Sequence, residues 1–205
     1  ERGYTAVVVY MTSKDETQQE EAAAALRSLG VSTPPVFIGQ PDVYAEDKDT
    51  VATVWNEKDA LNGLIRAIRQ YRPAVIISHD LNGEYGDGAS MLTARYIQRA
   101  VKYAAGTSAD KDSYNEFGAW STQRLFLHLY DGDANVTIDR TVPLDAFRRR
   151  SAAEVEQDVY DSFSESYRYP LSVDDPIYGL AEYGLIYSDP SLKTLPLNND
   201  LFYGL

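Results

Sequence analysis

Length, composition and charge limit the classes of protein to which this chain can belong. It has 205 residues, of which 44% are apolar, enough for one domain with a buried core. A net charge of −12 argues against nucleic acid or an anionic membrane as a partner, because neither attracts an acidic surface. The lack of cysteine excludes disulfides and thiolate metal sites. No signal peptide pattern is visible, and no apolar run approaches the ~20 residues that span a bilayer.

The first 105 residues alternate between short apolar runs and longer amphipathic segments. Strands are predicted at 5–11, 35–38 and 74–78, and helices at 16–29, 56–70 and 89–105. Asn56 is placed to cap the second helix, in which one face is apolar through Leu61, Leu64, Ile65 and Ile68. The polar segments 39–53 and 106–119 are predicted to be loops. Such alternation predicts a mostly parallel sheet with crossover helices on its faces.

The pattern changes beyond residue 120. An antiparallel hairpin is predicted from the run 124–130, the turn Asp131-Gly132 and the run 135–139. Ser151 and Glu154 have the spacing of a capping box, so a helix should follow through about residue 164. One more strand is predicted at 181–187. Seven of the 16 tyrosines follow residue 159, and either an interface or packing of loops on the sheet accounts for them.

The most informative motif begins where an apolar run ends in His79-Asp80 and continues in the loop Gly83-Glu84-Tyr85-Gly86. It resembles the second motif of the PIG-L/LmbE-like N-acetylglucosaminyl deacetylases, which usually reads Gly-Glu-Tyr-Gly-His-x-x-His. The positions of those two histidines are occupied here by Asp87 and Ser90. The likeness covers nearly the whole chain, with further similar segments at 3–12, 37–44, 125–130, 183–187 and 198–202.

This resemblance implies both a fold and a reaction. The fold is a Rossmann-like, mostly parallel sheet with flanking helices in residues 1–120, extended at 121–205 by antiparallel strands, one helix and a Tyr-rich tail. The reaction is zinc-dependent removal of an acetyl group from an N-acetyl sugar. The family's first motif, His-Pro-Asp-Asp, supplies two zinc ligands and the base, and it does not occur in this sequence. The third zinc ligand would fall at Ser90 and the catalytic histidine at Asp87.

Neither replacement suits metal catalysis. A serine hydroxyl is a poor substitute for an imidazole ligand, and an aspartate at position 87 would repel a developing oxyanion. We therefore expect no catalytic residue, no metal site and no cofactor, with Asp87 and Ser90 as degenerate positions. The two histidines of the chain, His79 and His128, are too few for a histidine-rich site. His128 lies in an apolar run and is predicted to be a satisfied core or cross-strand residue.

The resemblance also implies that the first, central strand of the sheet is not in this chain. Such a gap would leave two strand edges with unpaired backbone groups, which is costly. We expect a strand from an N-terminal fragment, from another copy of the chain, or from its own tail after Asp189 to fill the gap. The predicted partner is thus a homo-oligomer or assembly, or that fragment, with no nucleic acid and no membrane.

Three functions remain open at this point. The first is a catalytically inactive structural or self-assembling subunit. The second is a non-catalytic module that binds an N-acetyl sugar through His79, Asp80, Asn82, Glu84 and Tyr85, although those residues also suit plain loop architecture, with His79 bonded to backbone and Asp80 capping a turn. The third is an active zinc deacetylase whose first motif lies on another chain. An extracellular or cell-surface location is favoured over a cytoplasmic one.

Overall fold

The computed structural model describes residues 3–12, 15–129, 135–162, 177, 179–196 and 200–205. The strands are β1 (Val9–Thr12), β2 (Val36–Gln40), β3 (Val75–Ser78), β4 (Arg124–His128), β5 (Val136–Thr137), β6 (Pro143–Leu144), β7 (Arg150–Ser151) and β8 (Glu182–Ser188). The α-helices are α1 (Glu16–Ser28), α2 (Lys48–Val54), α3 (Glu57–Tyr71), α4 (Gly88–Ala104), α5 (Lys111–Phe117) and α6 (Ala152–Ser162).

The strands of the α/β core form two separate sheets. In one, β1 and β2 pair in parallel. In the other, the order is β3-β4-β8-β5, with β3 and β4 parallel and β8 antiparallel to both of its neighbours. A further two-stranded antiparallel ladder joins β6 and β7. The fold class predicted from the sequence, a mostly parallel α/β core with an antiparallel C-terminal extension, is confirmed.

One apolar core joins the two sheets. Val9 and Ile38 of the first sheet and Leu125 and Leu127 of the second belong to the same cluster, which also contains buried residues of α3 and α4. The opposite face of β4 carries a smaller cluster, in which Phe126 packs with Val136 and Leu195. The two helices therefore cover one face of both sheets, and the C-terminal part of the chain covers the other face of β4.

The helices begin and end where local sequence signals place them. Asp15 accepts a hydrogen bond from the Gln18 amide at the start of α1, and Asn56 accepts one from Asp59 at the start of α3. The capping box of α6 is also formed: Glu154 accepts from the Ser151 amide at 2.7 Å, and the Glu154 amide donates back to the Ser151 hydroxyl at 3.3 Å. The predicted helices 16–29, 56–70 and 89–105 are therefore confirmed to within a residue or two.

Two segments predicted to be loops contain helices. Within 39–53 and just beyond it, α2 is capped by Asp47 and is anchored by Val51, which is completely buried. Trp55, at the end of α2, is 4% exposed and donates its indole N–H to the Pro41 carbonyl at 2.9 Å. Within 106–119, α5 packs beside α3. Both helices are too short to show a clear period in the sequence, and burial of a few anchoring side chains stabilises them.

The predicted hairpin between the runs 124–130 and 135–139 is wrong. β4 and β5 do not pair with each other, because β8 lies between them and pairs with both. The Leu129 amide donates to the Glu182 carbonyl, and the Asn135 amide donates to the Tyr183 carbonyl, so the chain crosses from one edge of β8 to the other. The predicted turn at Asp131-Gly132 lies outside the described residues. A strand distant in sequence has displaced the local pairing.

A buried arginine holds the helices together at one end of the core. Arg69 of α3 is fully buried and donates hydrogen bonds to five backbone carbonyls and one hydroxyl; the acceptors are Tyr103, Ala104, Gly106, Ala109, Asp110 and the Ser113 side chain. These acceptors belong to the end of α4 and to the connection into α5. One guanidinium thus replaces the water that those carbonyls would otherwise bind. Among the described residues, no helix is long and apolar enough to cross a membrane.

Candidate functional site

The carboxyl ends of β3 and β4 bring polar side chains together. Ser78 and Leu127 are register partners at the ends of these parallel strands, so the next residue after β3, His79, lies near the last residue of β4, His128. The side chain of His79 is 48% exposed, whereas that of His128 is only 14% exposed. Ligands of open α/β sheets bind outside the carboxyl ends of the strands, so this is the natural place for a site.

Glu84 is the centre of this cluster. Its carboxylate lies 2.8 Å from the Nδ1 atom of His128 and 3.6 Å from the Nδ1 atom of His79, and it accepts a hydrogen bond from the Asp80 amide at 3.0 Å. Burial disfavours the charged form of Glu84, but the hydrogen bonds from His128 and His79 more than compensate and lower its pKa to about 2. Glu84 is therefore a carboxylate throughout the physiological pH range. It connects the loop after β3 to β4.

Backbone strain shapes the loop that carries Glu84. Gly83 has φ +81°, and a Cβ atom there would collide with the backbone oxygen of Asp87. Tyr85 has φ +53°, in the left-handed region that residues with side chains rarely adopt. Strain of this kind persists only where the surroundings hold the backbone in place, and it is concentrated at binding and catalytic sites. The loop is therefore built to hold Glu84 in one position.

Asp87 and Ser90 interact with each other. Asp87 is the N-cap of α4, and its Oδ2 atom accepts hydrogen bonds from both the amide and the hydroxyl of Ser90, each at 2.9 Å. The Asp87 side chain is 8% exposed, and its Oδ1 atom has no hydrogen-bond partner among the described residues. The next residue, Gly88, donates its amide to the Ala45 carbonyl at 2.7 Å. These two positions thus start a helix and fix it against a neighbouring loop.

The residues present do not fit the zinc ion that the resemblance implies. Zinc is held by imidazole, thiolate or carboxylate ligands, and a catalytic site normally has three of them. Here Ser90 offers a neutral hydroxyl that already donates to Asp87, and one oxygen of Asp87 is occupied as a helix cap. In the described part of the chain, no three His, Cys, Asp or Glu side chains are arranged to hold a metal ion.

The five residues predicted to bind a ligand differ in burial. Asp80 is buried and closes a turn, accepting from the Asn82 amide at 3.2 Å, while Asn82 itself is exposed. Burial raises the pKa of Asp80, and the charge of Glu84 adds to this effect. Glu84 faces His128 and His79, and Tyr85 is half-buried. His79 contacts a carboxylate and not the backbone partner that plain loop architecture predicts.

His128 is the residue of this cluster that sequence reasoning does not identify. The sequence predicts a cross-strand or core residue, and the ring does lie beside that of Tyr183 on β8, with ring centroids 5.6 Å apart. The sequence does not predict its hydrogen bond to Glu84, which lies 44 positions away in the chain. A signal is present in the sequence, because both histidines of the chain fall in or directly after apolar runs that predict strands. Parallel pairing of those strands is what brings the two rings together.

Comparison with known proteins gives relatives of one kind. No family model matches the chain. It is 29% identical over 115 residues to a 1D-myo-inositol 2-acetamido-2-deoxy-alpha-D-glucopyranoside deacetylase of Geodermatophilus obscurus, an alignment that covers 52% of the chain and 38% of that relative. The protein of the same name in Streptomyces griseus is 25% identical over 224 residues, covering 90% of the chain and 68% of the relative. The chain thus spans only part of the curated relatives it matches.

A solved structure supports the same fold. The N,N'-diacetylchitobiose deacetylase of Pyrococcus horikoshii superposes with a TM-score of 0.61 over 90% of this chain and 73% of its own. Its sequence identity is 12%, so this likeness concerns the fold alone. The α/β architecture, the Gly83-Glu84-Tyr85-Gly86 loop and the two sequence relatives agree with one another. The two sequence relatives support a PIG-L/LmbE-like deacetylase family for the chain, and the superposition supports the fold.

Proposed function

We propose that this chain is a catalytically inactive protein with the deacetylase fold, which acts as a structural or self-assembling subunit. The observation that carries the inactive part is the mutual bonding of Asp87 and Ser90 at the start of α4. Where zinc-dependent relatives would need an imidazole ligand and an imidazole catalyst, one carboxylate oxygen of Asp87 accepts both hydrogen bonds from Ser90 and caps the helix. The family name alone supports a fold better than it supports a reaction.

Metal analysis and an activity assay test the inactive part. The purified chain is incubated with zinc, excess metal is removed, and bound zinc and released acetate are measured with N,N'-diacetylchitobiose as substrate. We expect neither stoichiometric zinc nor acetate release. Ser90→Ala is the control, because it removes the hydroxyl and leaves the Asp87 cap of the helix in place. Zinc that binds the natural chain and is lost from this variant would mean that the site does hold a metal.

The assembling part of the proposal is supported by two open strand edges. Within the described residues, β1 pairs only with β2, and β3 pairs only with β4, although both sheets share one core. Tyr4, which precedes β1, stacks on Phe202 with ring centroids 3.8 Å apart, and the adjacent Leu201 carbonyl accepts from Arg124 at the start of β4. These contacts favour β1, and not β2, as the strand nearest the larger sheet.

Open edges of this kind expose unpaired backbone donors and acceptors, which favours pairing with another strand. We propose that a strand from a neighbouring copy of the chain, or from a separate N-terminal fragment, lies between β1 and β3. Light scattering on the purified chain, with intact-mass analysis of the same sample, distinguishes the two sources. A stable monomer with no associated fragment would contradict this part of the proposal.

Sugar binding without hydrolysis is a second candidate, supported by the exposed ring of His79. This ring lies at the carboxyl end of β3, and Glu84 fixes its position from behind at 3.6 Å. Calorimetric titration with N-acetylglucosamine and its oligomers tests the idea. We expect heat with the natural chain, less heat with His79→Ala, and no change with Ser90→Ala. The absence of heat at millimolar sugar would remove this candidate.

A further inference from the structure

His128 lies between two hydrogen-bond acceptors that come from different parts of the chain. Its Nδ1 atom is 2.8 Å and 3.0 Å from the two carboxylate oxygens of Glu84, and its Nε2 atom is 2.6 Å from the Leu180 carbonyl oxygen. Carbonyl oxygens and ionised carboxylates accept hydrogen bonds and cannot donate them. Both ring nitrogens must therefore donate, which only the doubly protonated imidazolium can do.

Neither neutral tautomer suits this arrangement. With the proton on Nε2, the lone pair of Nδ1 would face the carboxylate of Glu84 at 2.8 Å. With the proton on Nδ1, the lone pair of Nε2 would face the Leu180 carbonyl at 2.6 Å. Each tautomer replaces one hydrogen bond by a repulsion between two acceptors. A protonated Glu84 would relieve the first of these, but its pKa of about 2 excludes that form at ordinary pH.

We propose that His128 is a proton-dependent clip, which joins the loop after β3 to the segment entering β8 only while its ring carries both protons. When the ring loses one proton, one of the two contacts is lost. Either the Leu180 carbonyl leaves the ring, or the loop that carries Glu84 loses its bond to β4. The anchoring of residues 179–181, which lead into β8, is thereby coupled to pH.

Several charged or titratable groups face this ring. Glu84 faces it from the loop after β3, Asp80 acts on it from the end of β3, and Tyr183 lies beside it on β8. Burial by itself would lower the pKa of His128, but the hydrogen bonds to Glu84 and the Leu180 carbonyl, with the charges of Glu84 and Asp80, outweigh it and raise the pKa. His79 shares the carboxylate of Glu84 at 3.6 Å.

A second cation next to the clip provides an internal comparison. Arg140 donates a hydrogen bond to the Gly179 carbonyl and pairs with Glu156 of α6 at 2.8 Å. A guanidinium remains charged at all pH values at which proteins fold, so this contact does not depend on pH. Two adjacent carbonyls are thus held by different cations, of which only His128 titrates. The charges of this ion pair also act on the Tyr183 hydroxyl: Glu156 raises the pKa of Tyr183, and Arg140 lowers it.

The sign of the effect follows from the raised pKa of His128. The clip contributes its full stabilisation below the unfolded pKa of about 6.5 and loses it as pH rises through the higher folded value. Release of the Leu180 segment is therefore an alkaline event. Glu84, whose pKa is lowered from 4.5 to about 2, contributes the opposite dependence: its stabilisation is present above pH 4.5 and is lost as pH falls to about 2.

Nuclear magnetic resonance titration of the natural chain tests the clip. The chain has two histidines, so only two imidazole rings have to be assigned. We expect His128 to titrate above the ordinary histidine pKa of about 6.5 and to carry protons on both nitrogens at neutral pH. The amide of Ala181, whose peptide group contains the Leu180 carbonyl, should shift with the midpoint of His128. The amide of Leu180, whose peptide group contains the Gly179 carbonyl, should not.

Variants identify which residue around His128 makes the Ala181 amide respond to pH. Glu84→Gln removes the charge and should lower the titration midpoint of His128 by about one pH unit or more. His128→Gln should abolish the pH response of Ala181, whereas Arg140→Lys should leave it in place. A His128 that titrates at or below the ordinary pKa of about 6.5, or an Ala181 amide that does not follow it, would overturn the proposal. Since both readouts come from the natural chain, the result stands even where a variant fails to fold.

Discussion

At the scale of single residues, this chain uses ionisable side chains mainly to hold its own backbone. Asp87 caps a helix, Asp80 closes a turn, and Glu84 binds a histidine and a backbone amide. Each of these carboxylates lies in the loop that resembles the second motif of the PIG-L/LmbE-like deacetylases, and the resemblance implies catalytic groups in that loop. The same loop geometry thus supports a different use of the side chains.

The cap at the start of α4 can be tested by substitution. Asp87→Ala removes the acceptor of the Ser90 amide and should lower the free energy of unfolding by about 1 kcal/mol. Asp87→Asn keeps an acceptor in the same place and should lower the free energy of unfolding by less. Urea unfolding monitored by circular dichroism gives both values. An alanine variant as stable as the natural chain would mean that the cap does not stabilise the helix.

At the scale of elements, the helical layer depends on one buried cation. Arg69 donates to carbonyl groups at the end of α4 and before α5, where a helix leaves its last carbonyls without regular helical partners. The guanidinium bears five donors in a fixed plane, so it can reach several carbonyls at once. The short helix α5 is therefore positioned by α3 and has little stability of its own.

Two arginines of α3 give a matched pair of variants. Arg69→Met removes the hydrogen bonds of a fully buried guanidinium, leaves the Gly106 and Ala109 carbonyls without a donor among the described residues, and should lower the free energy of unfolding by about 3 kcal/mol. Arg66→Met removes a surface ion pair with Glu116, in which the two side chains are 44% and 52% exposed, and a contact of the guanidinium with the Phe117 ring at 5.1 Å, and it should lower the free energy of unfolding by about 1 kcal/mol or less. Chemical denaturation of each variant measures the two losses of free energy of unfolding. Equal losses would contradict the anchoring role of Arg69.

At the scale of the whole molecule, the decisive feature is a core shared by two sheets that do not pair. The side chains of Val9 and Ile76 lie in the same cluster, yet no backbone ladder joins β1 to β3 in the described residues. Ile77 of β3 remains 46% exposed. An exposed, apolar edge of this kind is what proteins normally cover or protect with charge.

A lysine at the open edge should prevent assembly. Ile77→Lys places a charge on the strand at the open edge and should shift the chain to a monomer in light scattering, because lysine on an edge strand opposes pairing with another strand. Val54→Lys is the matched control, since Val54 of α2 is 45% exposed and lies away from the edge. Assembly that survives Ile77→Lys, or is lost equally in both variants, would argue against pairing at β3.

The sequence by itself determined the elements that carry strong local signals. The apolar faces and caps of α1, α3 and α4, the capping box of α6 and the strand β8 follow from residues within one segment. The Gly83-Glu84-Tyr85-Gly86 loop, with Asp87 and Ser90 after it, indicates the family from eight consecutive positions of the chain. Interactions between neighbours along the chain are enough for such features, since helix period and capping depend on spacing alone.

Only the tertiary structure decided which distant segments meet. It inserted β8 between β4 and β5, stabilised α2 and α5 through the burial of Trp55 and the hydrogen bonds of Arg69, and brought His128 to Glu84. No local pattern encodes these contacts, because they join residues that are far apart along the chain. Their free energy comes from burial and from satisfying backbone groups that the core removes from water.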